Sequence, residues 1–429
     1  MPGLLQSAWL LSHVLMASGL TFNVPATPPS NSSGQLPVAP VGVSLEFFTF
    51  PGYMNDVAST STCLQNLKDL TGSWPPMRIG GTTQDRATYD ASSSNAVTYT
   101  VANPADAPST LTFGPSFFSL AAKYGGAVTI GLNRRLNNLA NTISAAILAK
   151  SQMSNLNAIE LGNEPNYPIA NGQSWTPAAD YASQVSWQDS VCGNLSSSNI
   201  ISAGVYFYNS PMSIVGLTAV EGNANAYVKD YCSHNYPQSS GTANLAGLMS
   251  HSGIATQIKP FASEVAAAKA KGKPHVFGET NSGQYCWWGR YSMGAPYFGA
   301  YFATMAVADA DQIAPLDDQT TAYAAYAIYK SGVPAKVLLY NSDYYTSGTR
   351  PSQTYTLTGL KASSVTAKRL TAPYSTSRVD RGQNPTVGGQ TFANGTCTIQ
   401  GTAVRETNTV SGGAATFTLG ASEALLVYL

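Results

Sequence analysis

Charged residues are scarce in this sequence. Only 10% of the 429 residues are Asp, Glu, Lys or Arg, and the 22 basic and 22 acidic side chains cancel to a formal net charge of zero. Such a chain has no basic surface that would attract nucleic acid or an anionic membrane over a distance. The composition therefore argues against nucleic-acid and membrane partners and favours a partner that is small and polar.

Cysteine and histidine are also few. The four histidines do not cluster, and no metal-like spacing connects the five cysteines, which are Cys63, Cys192, Cys232, Cys286 and Cys397. We therefore expect no metal site. In an oxidising compartment the cysteines allow one or two disulfides with one thiol left over, and the sequence does not fix the pairing.

Long apolar runs are absent after the first 20 residues, so no later stretch approaches the ~20 apolar residues that would span a bilayer. Residues 1–20 contain an apolar run, 10–20, and small residues at 17–19, which predicts a cleaved signal peptide. An ordinary N-terminal helix is the alternative. Three glycosylation sequons, at Asn31, Asn194 and Asn394, favour a secreted, extracellular protein.

Short apolar runs alternate with longer helical stretches after residues 21–40, which we interpret as an N-terminal strand and a Pro- and Ser-rich linker. This alternation is typical of a parallel α/β barrel. Residues 41–332 are therefore predicted to form a (β/α)8 TIM barrel. The predicted strands are 41–48, 76–80, 127–132, 158–166, 200–206, 230–236 and 275–280, and the main predicted helices are 56–71, 136–150, 258–271 and 295–308.

The barrel pattern is one β/α unit short. An eight-fold barrel needs a helix, a strand and a further helix after residues 275–280. Only the helix at 295–308 is evident, and the segment QYCWWGRYSMG (284–294) is too short for a helix plus a strand. We therefore predict a barrel that lacks the helix 7/strand 8 unit.

The composition changes after the barrel to alternating Thr, Ser, Val and Tyr with Gly-rich turns. Six short strands in this region predict a C-terminal antiparallel β-sandwich domain over residues 333–429. Such a module more often stabilises a barrel than binds carbohydrate by itself.

Two glutamates end apolar runs of the predicted barrel. AIELGNEPN (158–166) leads to Asn163 and Glu164, and HVFGET (275–280) delivers Glu279. The C-terminal ends of barrel strands line one mouth. Cleaving an acetal needs a proton for the departing oxygen and a carboxylate facing the oxocarbenium-like carbon. The pair therefore predicts a glycosidase in which Glu164 and Glu279 are catalytic.

Six motifs together resemble glycoside hydrolase family 79, in its fungal β-glucuronidase branch related to heparanases. They are SLEF with Glu46, RIGGTTQD (78–85), IELGNEPN (159–166), SHNYP (233–237), HVFGETNS (275–282) and EALLVYL (423–429). The resemblance implies a retaining clan A enzyme with Glu164 as general acid/base and Glu279 as nucleophile, and no cofactor.

The resemblance also implies a set of substrate-binding residues. They are Glu46, Asp85, Asn163, Tyr206 and Tyr236. Asn163 is expected on the sugar 2-hydroxyl and Tyr236 against the nucleophile. A structural ion pair between Asp85 and Arg78 is the alternative role for Asp85.

The implied substrate is a glycan, a polysaccharide or proteoglycan, that carries β-linked glucuronic acid or 4-O-methylglucuronic acid. In this family the loop after strand 8 holds much of the substrate carboxylate, and that unit is the one missing here. Two alternatives therefore stay open. One is a catalytically impaired relative that binds carbohydrate, and the other is a clan A glycosidase for a neutral sugar.

Overall fold

The computed structural model describes residues 19–165, 175–207, 211–238, 243–280 and 295–429. Almost all of the predicted signal peptide and the whole segment 284–294, including Cys286, therefore lie outside the described residues. No described helix is long and apolar enough to cross a bilayer.

The strands and helices are numbered in chain order. The strands are β1 (Leu20–Asn23), β2 (Val43–Glu46), β3 (Met77–Gly80), β4 (Ala87–Tyr89), β5 (Val97–Tyr99), β6 (Leu111–Phe113), β7 (Val128–Leu132), β8 (Leu156–Leu161), β9 (Ile201–Phe207), β10 (Val228–Asn235), β11 (His275–Thr280), β12 (Gln312–Pro315), β13 (Tyr323–Lys330), β14 (Val333–Asn341), β15 (Ser352–Thr358), β16 (Ser364–Thr371), β17 (Thr386–Val387), β18 (Thr391–Phe392), β19 (Ile399–Gln400), β20 (Glu406–Thr409), β21 (Ala415–Gly420) and β22 (Glu423–Tyr428). The α-helices are α1 (Phe50–Asn55), α2 (Ala58–Thr71), α3 (Pro115–Ala121), α4 (Leu139–Gln152), α5 (Pro177–Leu195), α6 (Ile214–Val220), α7 (Leu245–Met249), α8 (His251–Ile258), α9 (Ala262–Ala270) and α10 (Ala295–Val307).

Seven parallel strands form the barrel sheet among the described residues, in the order β11-β10-β9-β8-β7-β3-β2. Each neighbouring pair is consecutive among the barrel strands, as a β/α barrel requires. Within the described part of the chain, β2 and β11 each pair with one barrel strand only. The predicted barrel fold is thus confirmed, and its described strands number one fewer than eight.

The edge strand β11 is unusually exposed for a barrel strand. Val276 and Phe277 are 37% and 39% exposed. By contrast, every residue from the first to the sixth position of β9, Ile201 to Tyr206, is buried. This exposure lies at the edge where the predicted missing unit would continue the sheet.

The helices follow local sequence signals. Thr176 caps α5, because its side chain accepts a hydrogen bond from the Ala179 N–H, and Pro177 occupies the first turn. Asn138 caps α4 in the same way. The helix predicted over 258–271 is instead divided into α8 and α9 by a 3₁₀ turn, Lys259–Phe261, because Pro260 cannot donate a helical hydrogen bond.

A small three-stranded sheet, β4-β6-β5, was not predicted from the sequence. It follows β3 and packs through Leu111 and Phe113 onto the barrel core. These strands have three residues each, which is too short for a clear period-2 pattern.

The C-terminal domain consists of antiparallel sheets. The larger sheet has the order β12-β13-β14-β22-β16-β17, and a second sheet has the order β1-β15-β21. The predicted start of the domain at residue 333 is therefore too late, because its larger sheet includes β12 and β13. The strand predicted within residues 21–40 corresponds to β1, which pairs with β15 of this domain. Alternating burial in β15 and β21 explains why these strands were recognised.

Helix α10 joins the two domains. Tyr297, Phe298 and Tyr301 surround the ring of Phe392 from the C-terminal domain. A disulfide between Cys63 of α2 and Cys397 crosses the same interface. The barrel and the C-terminal domain therefore share one apolar and covalent junction, while Cys192 and Cys232 are buried thiols.

Candidate active site

Glu164 and Glu279 meet at the mouth of the barrel. Glu164 follows β8 by three residues, and Glu279 lies near the end of β11. A carboxylate oxygen of Glu164 and one of Glu279 lie within 4.8 Å of each other. Both side chains are 15% exposed, so each carboxylate remains open to the mouth.

His234 lies between the two carboxylates. Its Nδ1 is 2.9 Å from Glu164 Oε1 and 3.9 Å from Glu279 Oε2, and its side chain is fully buried. A register shift places His234 directly opposite Glu279 in the β10–β11 pair. Gly278, at this shift, allows the close approach, because a Cβ there would lie 2.5 Å from the sulfur of Cys232.

Arg78 connects the buried polar groups below the mouth. Its guanidinium forms ion pairs with Glu160, at 2.7 Å, and with Glu279, and its Nη2 donates to Asn163 Oδ1 at 3.0 Å. Glu160 is 1% exposed, so the pair replaces the solvation that its carboxylate loses. Arg78 does not pair with Asp85, contrary to the alternative drawn from the sequence.

Glu279 is held in its ionised form. Burial raises the pKa of this carboxyl, but the charges of His234 and Arg78 and hydrogen bonds from Tyr236 and Arg78 outweigh it and lower the pKa to about 2. The Tyr236 hydroxyl donates to Glu279 Oε2. The predicted contact between Tyr236 and this carboxylate is therefore present in the structure.

Glu46, at the end of β2, has the opposite electrostatic environment. Its Oε1 accepts hydrogen bonds from the backbone N–H of Thr83 at 2.6 Å and from the Thr83 hydroxyl. Burial and the charge of Glu279 nevertheless raise the pKa of Glu46 to about 7. Gly81 makes room for this carboxyl, because a Cβ there would lie 2.1 Å from Glu46 Oε2.

Asp85 holds the backbone rather than a sugar. Its carboxylate accepts from the backbone N–H groups of Asn163 at 2.7 Å, Arg134 at 3.0 Å and Arg135 at 3.2 Å. It is 4% exposed, and burial raises its pKa. The substrate-binding prediction for Asp85 is thus replaced by a structural role, since three backbone donors occupy its oxygens.

Tyr206 is likewise turned away from the mouth. It is 2% exposed, its hydroxyl donates to Asp180 Oδ2 at 2.6 Å, and the same hydroxyl accepts from Gln184 Nε2 at 2.9 Å. Asp180 forms a buried ion pair with Arg134. The structure therefore contradicts a substrate contact for Tyr206, because both partners of its hydroxyl belong to α5.

Two residues at the mouth have strained backbones. Glu164 and Val205 have φ angles of 45° and 57°, in the left-handed region that non-glycine residues avoid. Such conformations cost on the order of 1–3 kcal/mol each. The two residues are hydrogen-bonded to each other, because the Glu164 N–H donates to the Val205 carbonyl at 3.0 Å.

The cluster of Glu164, His234 and Glu279 also has the donor types of a cation site. Its electrostatics fit a cation poorly, since Arg78 already places a positive charge on one oxygen of Glu279 and Tyr236 donates to the other. The arrangement is suited instead to holding one carboxylate ionised next to another that can exchange a proton.

His234, Arg78 and Glu160 were missed by the sequence reasoning. Arg78 and His234 stand inside the RIGG and SHNYP motifs, and the structure places them in β3 and near the end of β10. Glu160, the buried partner of Arg78, stands inside the motif IELGNEPN. Only the three-dimensional arrangement pairs these residues with the predicted carboxylates.

Comparison with known proteins gives five findings. Residues 325–426 match the model of the glycosyl hydrolase family 79 C-terminal beta domain. The crystal structure of a 4-O-α-L-rhamnosyl-β-D-glucuronidase from Fusarium oxysporum 12S, as a Rha-GlcA complex, is 69% identical, with a TM-score of 0.93 over 96% of this chain and 100% of that one.

Two curated fungal β-glucuronidases are more distant. The Neurospora crassa protein is 30% identical over 62% of this chain and 53% of its own length, and the Aspergillus niger protein is 28% identical over 66% and 57%. The chain thus matches a little over half the length of these curated relatives. A family 51 α-L-arabinofuranosidase from Bifidobacterium longum, at 13% identity and a TM-score of 0.62, shares the fold.

Proposed function

Because this chain belongs to glycoside hydrolase family 79, we propose that it hydrolyses β-D-glucuronides with net retention, with Glu164 as general acid/base and Glu279 as nucleophile. The observation that carries the proposal is the separation of their carboxylate oxygens, within 4.8 Å. Retaining glycosidases have carboxyl groups roughly 5–5.5 Å apart, whereas inverting enzymes leave roughly 6.5–9.5 Å for a water.

In the first step, a Glu279 oxygen bonds to the anomeric carbon while the bond to the leaving oxygen breaks. Glu164 gives its proton to that oxygen. In the second step Glu164 takes a proton from water, the water oxygen bonds to the anomeric carbon, and Glu279 departs as a carboxylate. No cofactor takes part.

The surroundings of each carboxylate suit these roles. Arg78, His234 and Tyr236 keep the pKa of Glu279 near 2, so this group is a carboxylate across the physiological pH range. His234 Nδ1 contacts Glu164 at 2.9 Å and gives that side chain a fixed direction towards Glu279. An ionised nucleophile beside an oriented acid is the division of roles that a retaining mechanism needs.

For the sugar, we propose a glucuronic acid that carries rhamnose at O4, after the Fusarium relative that is a 4-O-α-L-rhamnosyl-β-D-glucuronidase. Unsubstituted and 4-O-methylated glucuronic acid are the further candidates, and the natural substrate is a glycan. Glu46 and Asn163 are the described side chains proposed to bind glycone hydroxyls. With its pKa raised to about 7, Glu46 can donate as well as accept a hydrogen bond.

We also propose that the protein is secreted. The disulfide between Cys63 and Cys397 supports an oxidising compartment. The sequon residues Asn31, Asn194 and Asn394 are all exposed, as glycosylation requires.

The test is a substrate panel with the purified protein: nitrophenyl β-D-glucuronide, a rhamnose-capped glucuronide and neutral nitrophenyl glycosides. We expect turnover of glucuronides only, with preference for the capped sugar. Turnover of neutral glycosides alone would contradict the proposal and favour the neutral-sugar glycosidase.

The assignment of Glu164 has its own test. Glu164→Ala should lower kcat/KM, which reports the first step, by about 10²-fold or more on substrates with poor leaving groups and much less on substrates with good leaving groups, because only the former need the proton in that step. Equal losses on both would argue against general acid catalysis. Azide, a small nucleophile that needs no general base, should restore part of the rate on the good leaving group.

The impaired relative is the second candidate, and the exposed edge strand β11 with Val276 and Phe277 is the observation that favours it. The active glycosidase and the impaired relative are distinguished by measuring binding and turnover of glucuronides, with circular dichroism to show that the protein is folded. A folded protein that binds glucuronides without turning them over would support the impaired relative.

A further inference from the structure

We propose that a bulge in β9, formed by Gly204 and Val205 and held by Gln184, positions Glu164 for proton transfer. This inference rests on the proposed function, which makes Glu164 the general acid/base. In this account Val205 and Gln184 are positioning residues that act through Glu164 and touch no substrate.

Three successive backbone N–H groups fix the chain that carries Glu164. The Gly162 N–H donates to the Leu132 carbonyl of β7 at 2.9 Å, and the Asn163 N–H donates to Asp85 at 2.7 Å. The Glu164 N–H donates to the Val205 carbonyl of β9 at 3.0 Å. The hydrogen bond to the Val205 carbonyl therefore holds the backbone of Glu164 itself.

The bulge turns this carbonyl towards β8. In the β9–β10 pair, Cys232 lies opposite Gly204 and Ser233 lies opposite Tyr206, so Val205 is the extra residue. An extra residue breaks the alternation of backbone direction and can redirect a group at a strand end. Val205 is 1% exposed and keeps a φ of 57°, which its branched side chain disfavours. The surrounding packing therefore imposes this conformation.

Gln184 of α5 takes the place of a sheet partner at the bulge. Its Oε1 accepts from the Gly204 N–H at 3.0 Å, and its Nε2 donates to the Gly204 carbonyl at 3.2 Å. Position 204 favours glycine, since its φ of 88° lies in a region that L side chains rarely adopt.

A buried network extends this support to β8. Gln184 Nε2 also donates to the Tyr206 hydroxyl, that hydroxyl donates to Asp180, and Asp180 pairs with Arg134. Arg134 Nε in turn donates to the Leu161 carbonyl at 3.0 Å. The end of β8 before Glu164 and the β9 bulge that binds its N–H are thus connected by one buried network, which includes Tyr206.

Two variants test the inference. Val205→Gly keeps the carbonyl but removes the side chain that holds it, and Gln184→Met removes both hydrogen bonds to Gly204 at similar volume. We expect each to lower kcat/KM, which reports the first step, about tenfold on alkyl or glycosyl β-D-glucuronides and less than about twofold on nitrophenyl β-D-glucuronide, because only poor leaving groups need a well-placed acid in that step.

Ile201→Ala is the matched control, since Ile201 is also 1% exposed and lies in the same strand. It should lower the thermal unfolding midpoint and leave the ratio of the two rates unchanged. Equal losses on both substrates in Val205→Gly would overturn the positioning role and leave a merely structural one.

Amide hydrogen exchange separates this inference from the proposed function. The peptide that contains Glu164 should exchange faster in Val205→Gly and Gln184→Met than in the wild type or Ile201→Ala. Unchanged exchange would overturn the role of the bulge, whether or not the wild type cleaves glucuronides. Failure of the wild type on every glucuronide, with faster exchange in the variants, would refute the proposed function, and the bulge would then support the backbone of Glu164 without a role in proton transfer.

Discussion

In the C-terminal domain the buried positions hold apolar side chains such as Ala325, Val337 and Leu425, whereas the buried positions at the barrel mouth hold Arg78 and Glu160. The domain packs these side chains between regular antiparallel strands. The mouth instead buries ion pairs and has a left-handed backbone inside a strand, at Val205, whereas left-handed residues of the domain such as Ser331 and Ser422 lie in turns. Both regions are packed interiors, but the domain buries apolar side chains and the mouth buries charged ones.

The difference shows where the chain departs from ordinary folding preferences. Burying Arg78, Glu160 and Glu279 costs solvation free energy that apolar packing would not cost. A β-branched residue at positive φ adds strain. Departures of this kind concentrate at functional sites, and here they surround the two carboxylates.

The largest expected effect is the loss of activity when a carboxylate is replaced at the barrel mouth rather than in the C-terminal domain. Glu279→Gln should lower kcat on nitrophenyl β-D-glucuronide by more than about 10⁴-fold, because the amide cannot form the glycosyl intermediate. The far-ultraviolet circular dichroism spectrum should not change. Glu406→Gln, in an ion pair of the C-terminal domain, is the matched control and should keep wild-type kcat. Substantial residual activity of Glu279→Gln would remove this residue from the nucleophile role.

The next prediction compares the ion pairs of the two regions. Arg78→Met leaves the buried Glu160 without its cation and should cost about 3–5 kcal/mol of unfolding free energy. Arg369→Met removes partly exposed pairs with Glu406 and Glu423 and should cost about 1 kcal/mol or less. Urea unfolding measures both. Equal costs would contradict the contrast drawn between mouth and domain.

Arg78→Met should also change the pH dependence of the reaction. Arg78 helps to lower the pKa of Glu279, so its removal should move the acid limb of kcat/KM to higher pH. The nucleophile acts as a carboxylate, and activity is lost as pH falls through its pKa. Arg369→Met should leave this limb in place.

The third prediction concerns the junction between the regions. The disulfide from Cys63 to Cys397 spans 334 residues of sequence, and replacing both cysteines by serine should cost about 2–4 kcal/mol. Calorimetry should show a lower midpoint, and reduction of the wild type should reproduce it. An unchanged midpoint would mean that α10 and its aromatic contacts alone hold the junction.

The smallest effects concern stability against pH, and they should differ in sign. Burial and the charge of Glu279 raise the pKa of Glu46 from 4.5 to about 7, so its contribution to stability is complete below pH 4.5 and is lost as pH rises through 7. At Glu423, burial raises the pKa, but Thr371, the Gly420 N–H and Arg369 outweigh it and lower the pKa. Its contribution is present above pH 4.5 and is lost at lower pH.

Unfolding free energies of Glu46→Gln and Glu423→Gln between pH 3 and 8 measure these contributions. Relative to wild type, Glu46→Gln should gain stability as pH rises, and Glu423→Gln should gain stability as pH falls. The same slope in both variants would contradict the opposed environments of the two carboxyls.

The sequence predicted the regular parts of the fold well. Six of the seven barrel strands were found within two residues, and β11 has the predicted bounds, because buried parallel strands are continuous apolar runs. The strand predicted over 158–166 ends five residues earlier, since β8 gives way to the loop that carries Glu164. The strands β12 and β13 were assigned to the barrel, since YAAYAIYK lacks the polar alternation that marks the later strands. The three-residue strands β4 to β6 carry too little pattern to be found.

The site was predicted in part. Glu164, Glu279 and Tyr236 are brought together as expected, because strand ends of a barrel converge. Tyr206 lies near the end of β9 and Asp85 in the 3₁₀ turn that follows β3, but their side chains turn to α5 and to backbone donors. The direction of a side chain at a strand end depends on bulges and turns, such as the one at Val205, which leave no clear signal in sequence.

The most direct test of the central claim is the stereochemistry of the first product. Proton NMR of the sugar released from a β-D-glucuronide, recorded before mutarotation, distinguishes the two anomers. Carboxylate oxygens within 4.8 Å predict that the β-anomer appears first, through a covalent intermediate on Glu279. Initial release of the α-anomer would contradict the assignment of Glu279 as nucleophile and with it the proposed roles of both glutamates.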